Sequence, residues 1–241
     1  MKKVTLTILM ITASLHSAEA KTVKVFMTSG TGFFVSQGGH IVTNKHVVNN
    51  CHNIVVSGAV AEQPAKIIGR DYDQDLALLK IDTTPPYVAF FRPESQPVEK
   101  GERVVIVGYP GESAKAGNTI TREAEVLSLK GPKGEDQWME VSDVIAQGNS
   151  GGPLLDVSGN VVGVVTAKAT IYTYESDRPH DGVTRNSGIA ITLPTLRNFL
   201  DGYRVYYREE DSSNDLSASS ITDMANRFVV NVRCAYKTEV R

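Results

Sequence analysis

Apolar and polar positions alternate along most of this chain in short runs. "VKVFMT", "GFFVSQ", "HIVTN", "NIVVSG", "AKIIG" and "LALLKI" follow one another, with Gly, Asn, Asp or Pro between them. A proline-bearing stretch, "TTPPYVAFFRPESQPVEKGE", interrupts the rhythm. It then resumes with "RVVIVGY", "EAEVLSLK", "WMEVSDV", "NVVGVVTAK" and "GIAITL". A period of two marks strands, because successive side chains point to opposite faces of a sheet. Many short strands separated by turn residues predict an all-β sandwich or barrel, split in two near residues 83–101. Helical spacing is nearly absent until "TLRNFLDGY" at 195–203, which follows Pro194 as a short helix does.

The ends of the chain break the pattern in different ways. Residues 1–20 carry Lys2 and Lys3, then the apolar run "VTLTILMITASL", then "AEA". That is the layout of a secretory signal peptide cleaved after Ala20, with an apolar run too short to cross a bilayer comfortably. The expectation is an exported protein, periplasmic or secreted, with no stable membrane anchor. Residues 208–220, "REEDSSNDLSASS", read as a polar, flexible segment, and "FVVNVRC" beyond it alternates like a strand. Residues 205–241 are therefore expected as a polar linker and C-terminal tail.

Charge and cysteine count narrow the class of partner. Lys and Arg total 25 against 27 Asp and Glu, a balance that points away from nucleic acid and anionic membranes. There are two cysteines, Cys51 and Cys234. In an exported protein such a pair predicts one disulfide, tying the tail to the first half of the chain.

Candidate chemistry centres on "AQGNSGGPLLD", residues 146–156, where three glycines and a proline surround Ser150. A serine hydroxyl is a poor nucleophile until an adjacent base, itself held by a third group, activates it. Of the histidines, His46 in "IVTNKHVV" closes a predicted strand, whereas His40 and His52 lie in turns and His180 in the loop "SDRPHDG". The orienting acid is expected at Asp75, directly before the apolar strand of "DQDLALLKI", with Asp71 and Asp73 further into the turn. "GNSGG" also fits G-x-S-x-G, but that elbow needs a helix after the serine. Gly151, Gly152 and Pro153 forbid one, and the next element, "NVVGVV", reads as a strand. A metal at His46, Cys51 and His52 lacks a fourth ligand and a familiar spacing, and "GTGFFV" lacks the third glycine of a dinucleotide loop. No metal and no cofactor are expected.

The order His, Asp, Ser matches the chymotrypsin arrangement. "TNKHVV", "DQDLALLKI" and "QGNSGGPL" together resemble the three signature stretches of the trypsin-like serine peptidases, and within them the HtrA/Deg-type branch. "SGTGFFVS" and "GIAI" add to that resemblance, which covers roughly residues 25–200. It implies two six-stranded antiparallel β-barrels with the active site in the cleft between them. The first would span 21–100 with His46 and Asp75, the second 101–204 with Ser150. It implies a serine endopeptidase whose oxyanion hole is formed by Gly148, Asn149 and Ser150, the N–H groups of Gly148 and Ser150 being the donors. The substrate would run past Thr166, Ala167 and Lys168, Thr166 being equally placed to support Asp75. The primary pocket would hold Val144, Ile145 and Ala190, with Asp143 facing away. That lining favours small or medium apolar residues before the cut bond, and unfolded or extended polypeptides as substrates. Asn149 stands where digestive trypsins carry an aspartate that pairs with a freed N-terminal amine, so activation by that pairing is not expected. The chain beyond residue 205 is too short for the PDZ module many HtrA-type proteins carry. A second class stays open: a catalytically silent binding protein on a protease scaffold.

Overall fold

A computed structural model describes residues 23–239 other than 144, 176 and 177, without the side chains of 23–26, 169–185 and 237–239. The expected signal peptide lies outside the described residues. Fourteen strands and three helices are present among them. The first group of strands is β1 (Val23–Ser36), β2 (His40–Asn44), β3 (Asn53–Gly58), β4 (Gln63–Asp71) and β5 (Leu76–Lys80). A two-residue strand β6 (Phe90–Phe91) follows. Then come β7 (Arg103–Gly108), helix α1 (Gly111–Lys115), β8 (Ile120–Ser128), β9 (Trp138–Val141), β10 (Pro153–Asp156), β11 (Val161–Glu175) and β12 (Arg178–Thr192). The chain ends with α2 (Leu193–Gly202), β13 (Arg208–Glu209), α3 (Ala218–Ala225) and β14 (Val229–Glu239).

The strands close into two six-stranded antiparallel barrels, as expected. The second consists of β7, β8, β9, β12, β11 and β10, with β10 pairing back onto β7. Its strands show why alternation sets position. On β7, Val104 and Ile106 face the barrel interior with Val126, Met139, Leu154 and Val165. The intervening Val105 and Val107 face outward, into the apolar cluster shared with the first barrel. One strand thus buries both faces, and its sequence, RVVIVG, is correspondingly apolar throughout.

The first barrel runs β1, β14, β3, β4, β5, β2 and back to β1. Its sixth wall is therefore the last strand of the chain. β14 pairs with β1 from Val23↔Glu239 to Phe33↔Val229, and on its other edge with β3. Val230, Val232 and Cys234 turn inward and are fully buried. Residues 205–241, expected as a polar linker and tail, thus carry a barrel strand. The polar run before it is docked rather than free. Asp156, the buried last residue of β10, accepts the Ser158 and Asn160 N–H groups at 2.8 and 2.9 Å and meets the Ser212 hydroxyl. Asn160 Nδ2 donates to the Glu210 carbonyl at 2.8 Å, and the Leu216 N–H to that of Val157 at 2.8 Å. The physical reason for the difference is that polar composition fits a solvated loop and a hydrogen-bonded strap equally well.

The sulfurs of Cys51 and Cys234 are bonded, with Cα atoms 5.4 Å apart, so β14 is also tied to the segment just after His46. The expected helix near 195–203 is present as α2. Its following residue, Tyr203, lies over Gly69 of β4, where a Cβ would sit 2.3 Å from the ring.

Candidate active site

The two barrels meet at His46, Asp75 and Ser150. His46 opens a single 3-10 turn (His46–Val48) directly after β2, and Asp75 ends the turn between β4 and β5. Asp75 adopts a left-handed backbone conformation, φ +55°, which costs a non-glycine residue about 1–2 kcal/mol. Two bonds to its carbonyl hold it there, from Asn44 Nδ2 and from the Lys45 N–H, both at 3.0 Å. The result points its carboxylate at His46. Oδ1 accepts the His46 backbone N–H at 3.0 Å, and Oδ2 lies 2.7 Å from His46 Nδ1. An ionised carboxylate only accepts, so Nδ1 carries the proton and Nε2 is left as the basic nitrogen.

Thr166, from β11 of the other barrel, donates its hydroxyl to Asp75 Oδ2 at 2.7 Å. Burial on its own pushes the Asp75 carboxyl up. The hydrogen bonds and charge of His46, with the Thr166 hydroxyl, outweigh that and hold it below the usual carboxylate range. Of the two uses expected of Thr166, support of the acid is thus the one its side chain makes. Its main chain contributes separately: the Ser150 hydroxyl donates to the Thr166 carbonyl at 3.0 Å. Ser150 is therefore turned toward Thr166, and no hydrogen bond joins it to His46. A change of its χ1 rotamer moves the oxygen without moving the backbone.

The loop around Ser150 sorts its N–H groups. Asn149 donates to Ala146 O at 3.1 Å, Gly151 to Val165 O at 2.8 Å and Gly152 to Asn149 O at 2.9 Å. The N–H groups of Gly148 and Ser150 have no acceptor among the described residues. Asn149, expected in the oxyanion loop between the two donors, has its own N–H turned to Ala146 O. Gly148 has φ +105°, and a Cβ there would lie 2.4 Å from the Tyr109 carbonyl, so the position excludes any side chain.

Residues from outside the loop fix its carbonyls. Gly111 N–H holds Gln147 O at 3.2 Å, which turns the N–H of the same trans peptide, that of Gly148, the opposite way. Gly148 O accepts from the Thr31 hydroxyl at 2.7 Å. Thr31, fully buried on β1, also accepts from the Tyr109 N–H at 2.9 Å and donates its own N–H to Ser150 O at 2.9 Å. Neither Thr31 nor Gly111 stood out as a site residue in the sequence. The signal available was a hydroxyl between two glycines in "SGTGFF".

The remaining expected residues are placed unevenly. Ala167 and Lys168 are exposed beyond Thr166. Ile145 is buried among Val141, Leu154 and Val165, next to Gly188, where a Cβ would lie 2.9 Å from its Cδ1. Ala190 is fully buried in the barrel interior, paired with Met139, so it lies in the core rather than on an open pocket wall. Val144 lies outside the described residues. Asp143 turns to Arg122 on β8, whose Nη2 donates to Oδ1 at 2.6 Å while Nε meets Oδ2.

This constellation on two barrels defines a class, and comparison with known proteins agrees. Residues 30–164 match the family model of the trypsin-like peptidase domain, and the chain belongs to that family. It is 36% identical over 169 residues to "Probable periplasmic serine endoprotease DegP-like" of Rhizobium meliloti (strain 1021), covering 68% of this chain and 31% of that protein. Among solved structures it resembles the Rv3671c protease of M. tuberculosis H37Rv in an inactive form (TM-score 0.55, 28% identity, 75% of this chain and 87% of that one). It also resembles the HtrA-type protease AlgW with a tripeptide (TM-score 0.55, 25% identity, 70% and 53%). The chain spans about a third of the length of the curated relatives it matches.

Proposed function

We propose that this protein is an exported serine endopeptidase. Ser150 Oγ attacks the scissile carbonyl carbon as His46 Nε2 takes its proton. Asp75 orients the imidazole and stabilises its positive charge. The tetrahedral oxyanion lies against the N–H groups of Gly148 and Ser150. The C–N bond then breaks, His46 returns the proton to the leaving amine, and water hydrolyses the acyl-enzyme by the same path. The observation that carries this reading is the series His46–Asp75–Thr166–Ser150 ending beside two N–H donors that have no acceptor among the described residues. Treatment with a fluorophosphonate probe tests it. Wild type should label at Ser150, and Ser150→Ala should lower peptide turnover on the order of 10⁶-fold while the fold is kept. Equal turnover by the two proteins would refute the assignment.

The name of the DegP-like relative supports a periplasmic location, and the AlgW complex supports extended peptide as substrate. The pairing of Asp143 with Arg122 supports an apolar primary pocket. With that carboxylate engaged and Ile145 beside Gly188, a lysine or arginine of the substrate would be buried without a counter-ion, at a cost of several kcal/mol. Cleavage is expected after Val, Ala, Ile or Leu in unfolded polypeptides, read by profiling cut sites in a digested proteome. A dominant Arg or Lys before the cut bond would overturn it. The bond from Ser150 to the Thr166 carbonyl favours one other reading, a silent binding protein. Absence of probe labelling on folded protein would support that reading instead.

A further inference from the structure

A groove begins two residues back along β1 from Thr31, the residue that donates its N–H to the Ser150 carbonyl. Ser150 sits between two threonines: its hydroxyl meets Thr166 O, and its carbonyl accepts the Thr31 N–H. If the acyl half of a substrate lies along 166–168, the leaving half must pass Thr31 and Gly111. Both residues begin a wall. From Thr31, β1 runs back through the exposed Ser29 and Met27, the latter 66% exposed. From Gly111, α1 runs to Lys115. Between these walls lies a groove of about 590 Å³.

The floor of the groove is β14. Asn231 stands opposite Thr31 and Arg233 opposite Ser29 in the antiparallel register. Asn231 is buried and donates Nδ2 to the Ala114 carbonyl at 3.2 Å, fastening the floor to the end of α1. Arg233 is partly open, its side chain 31% exposed, and Nη2 meets the Glu62 carboxylate at the rim. Glu62 is itself 64% exposed, so the pair is weak and open to exchange. The Arg233 Nε has no acceptor among the described residues, and a guanidinium has donors for a second carboxylate. The other cation on the groove is Lys115, which pairs with the exposed Glu112 at 2.7 Å, and Glu62 is the lining anion.

We infer that this groove is a leaving-group subsite in which Arg233, supplied by the C-terminal strand, selects an acidic side chain after the cut bond. Strand rise of about 3.4 Å per residue puts Arg233, opposite Ser29, about 7 Å along from Thr31. That distance matches the second or third residue after the scissile bond. A carboxylate there takes over the Arg233 donors now given to Glu62 and gains the field of Lys115. A substrate lysine instead leaves the Arg233–Glu62 and Lys115–Glu112 pairs in place and finds no open donor to displace. Asn231 and Arg233 belong to the strand that the last part of the chain contributes, so the tail serves recognition as well as barrel closure.

This inference rests on the peptidase reading, and the test separates the two. Quenched peptides identical up to the cut bond, and carrying Asp or Lys at the second and third positions after it, are compared by kcat/KM. Wild type should favour Asp about three- to fivefold, the size of one partly exposed charge pair. Arg233→Glu should reverse the order and Arg233→Gln should level it, with fluorophosphonate labelling of Ser150 unchanged. The same peptides, titrated by fluorescence anisotropy into Ser150→Ala protein, read the groove without chemistry, so a failure of hydrolysis does not decide the matter. An Asp-to-Lys ratio near one in both assays, or a ratio that the Arg233 variants leave unmoved, would overturn the inference.

Discussion

The two barrels solve the same closure problem with different stretches of chain. The second is built from consecutive strands, β7 to β12, within residues 103–192. The first takes five consecutive strands and then waits for β14, some 150 residues later. The chain therefore crosses between barrels twice, once through the proline-bearing linker and once through the strap that docks on Asp156, Ser158 and Asn160. The second barrel supplies the Ser150 loop and the Thr166 carbonyl. The first supplies His46, Asp75 and Thr31. A barrel closed from a distance must be held shut by something other than local sequence, and the candidates are the fully buried Val230 and Val232 and the Cys51–Cys234 bond.

Breaking that bond should separate the barrels most clearly. It joins residues 183 apart, and closing so long a loop contributes about 5 kcal/mol in the chain-entropy model, with measured values often lower. Removal of a bond of that size is comparable to the whole stability of many domains. Cys51→Ser with Cys234→Ser should lower the melting temperature by many degrees. It should also release the β1, β3 and β14 amides to hydrogen exchange before those of β7 to β12. Equal melting of the oxidised and cysteine-free proteins would mean that burial alone closes the first barrel.

Thr31 is the point where the first barrel holds the second barrel's Ser150 loop. Thr31→Val keeps the shape but strands the Gly148 carbonyl and the Tyr109 N–H, each buried, at about 1–3 kcal/mol apiece. A loosened Gly148 peptide should lower kcat about 10- to 100-fold with KM little changed, and Thr31→Ser should restore it. A Thr31→Val enzyme within about twofold of wild type would show that Gly111 alone orients the loop.

Much of this was legible in the sequence, for stated physical reasons. Strand alternation points to an all-β sandwich or barrel in two halves, and the resemblance to the trypsin-like peptidases narrows that to two six-stranded barrels. The proposed triad could be named because His46 closes a strand, Asp75 directly precedes one and Ser150 sits among glycines, in the chain order of "TNKHVV", "DQDLALLKI" and "QGNSGGPL". Closure by β14 could not be read off, because alternation in "FVVNVRC" tells which face is buried and not which strand is its neighbour. The docking of the strap is not legible because Ser212 and Asn214 look the same in sequence whether water or Asp156 and Ser158 satisfy them. Ala190 belongs to the expected pocket only through the family resemblance, and here it is fully buried in the core beside Met139.

The smallest expected effect concerns the carboxylate that the two barrels share. Asp75 belongs to the first barrel and takes one hydrogen bond from Thr166 of the second. Its folded-state pKa lies below that of the unfolded chain, where an aspartate titrates near 4. A group depressed in this way favours folding above its unfolded pKa, and that contribution disappears as pH falls through the lower folded value. The stability gap between wild type and Asp75→Asn should therefore be constant from about pH 7 to about pH 5 and should shrink only below about pH 4. Thr166→Val removes one of the bonds that depress the pKa, so its loss should begin at a higher pH than in wild type. Thermal unfolding of the three proteins at a series of pH values reads both effects. A gap that widens on acidification would mean that Asp75 is held with its pKa raised, with burial outweighing His46 and Thr166.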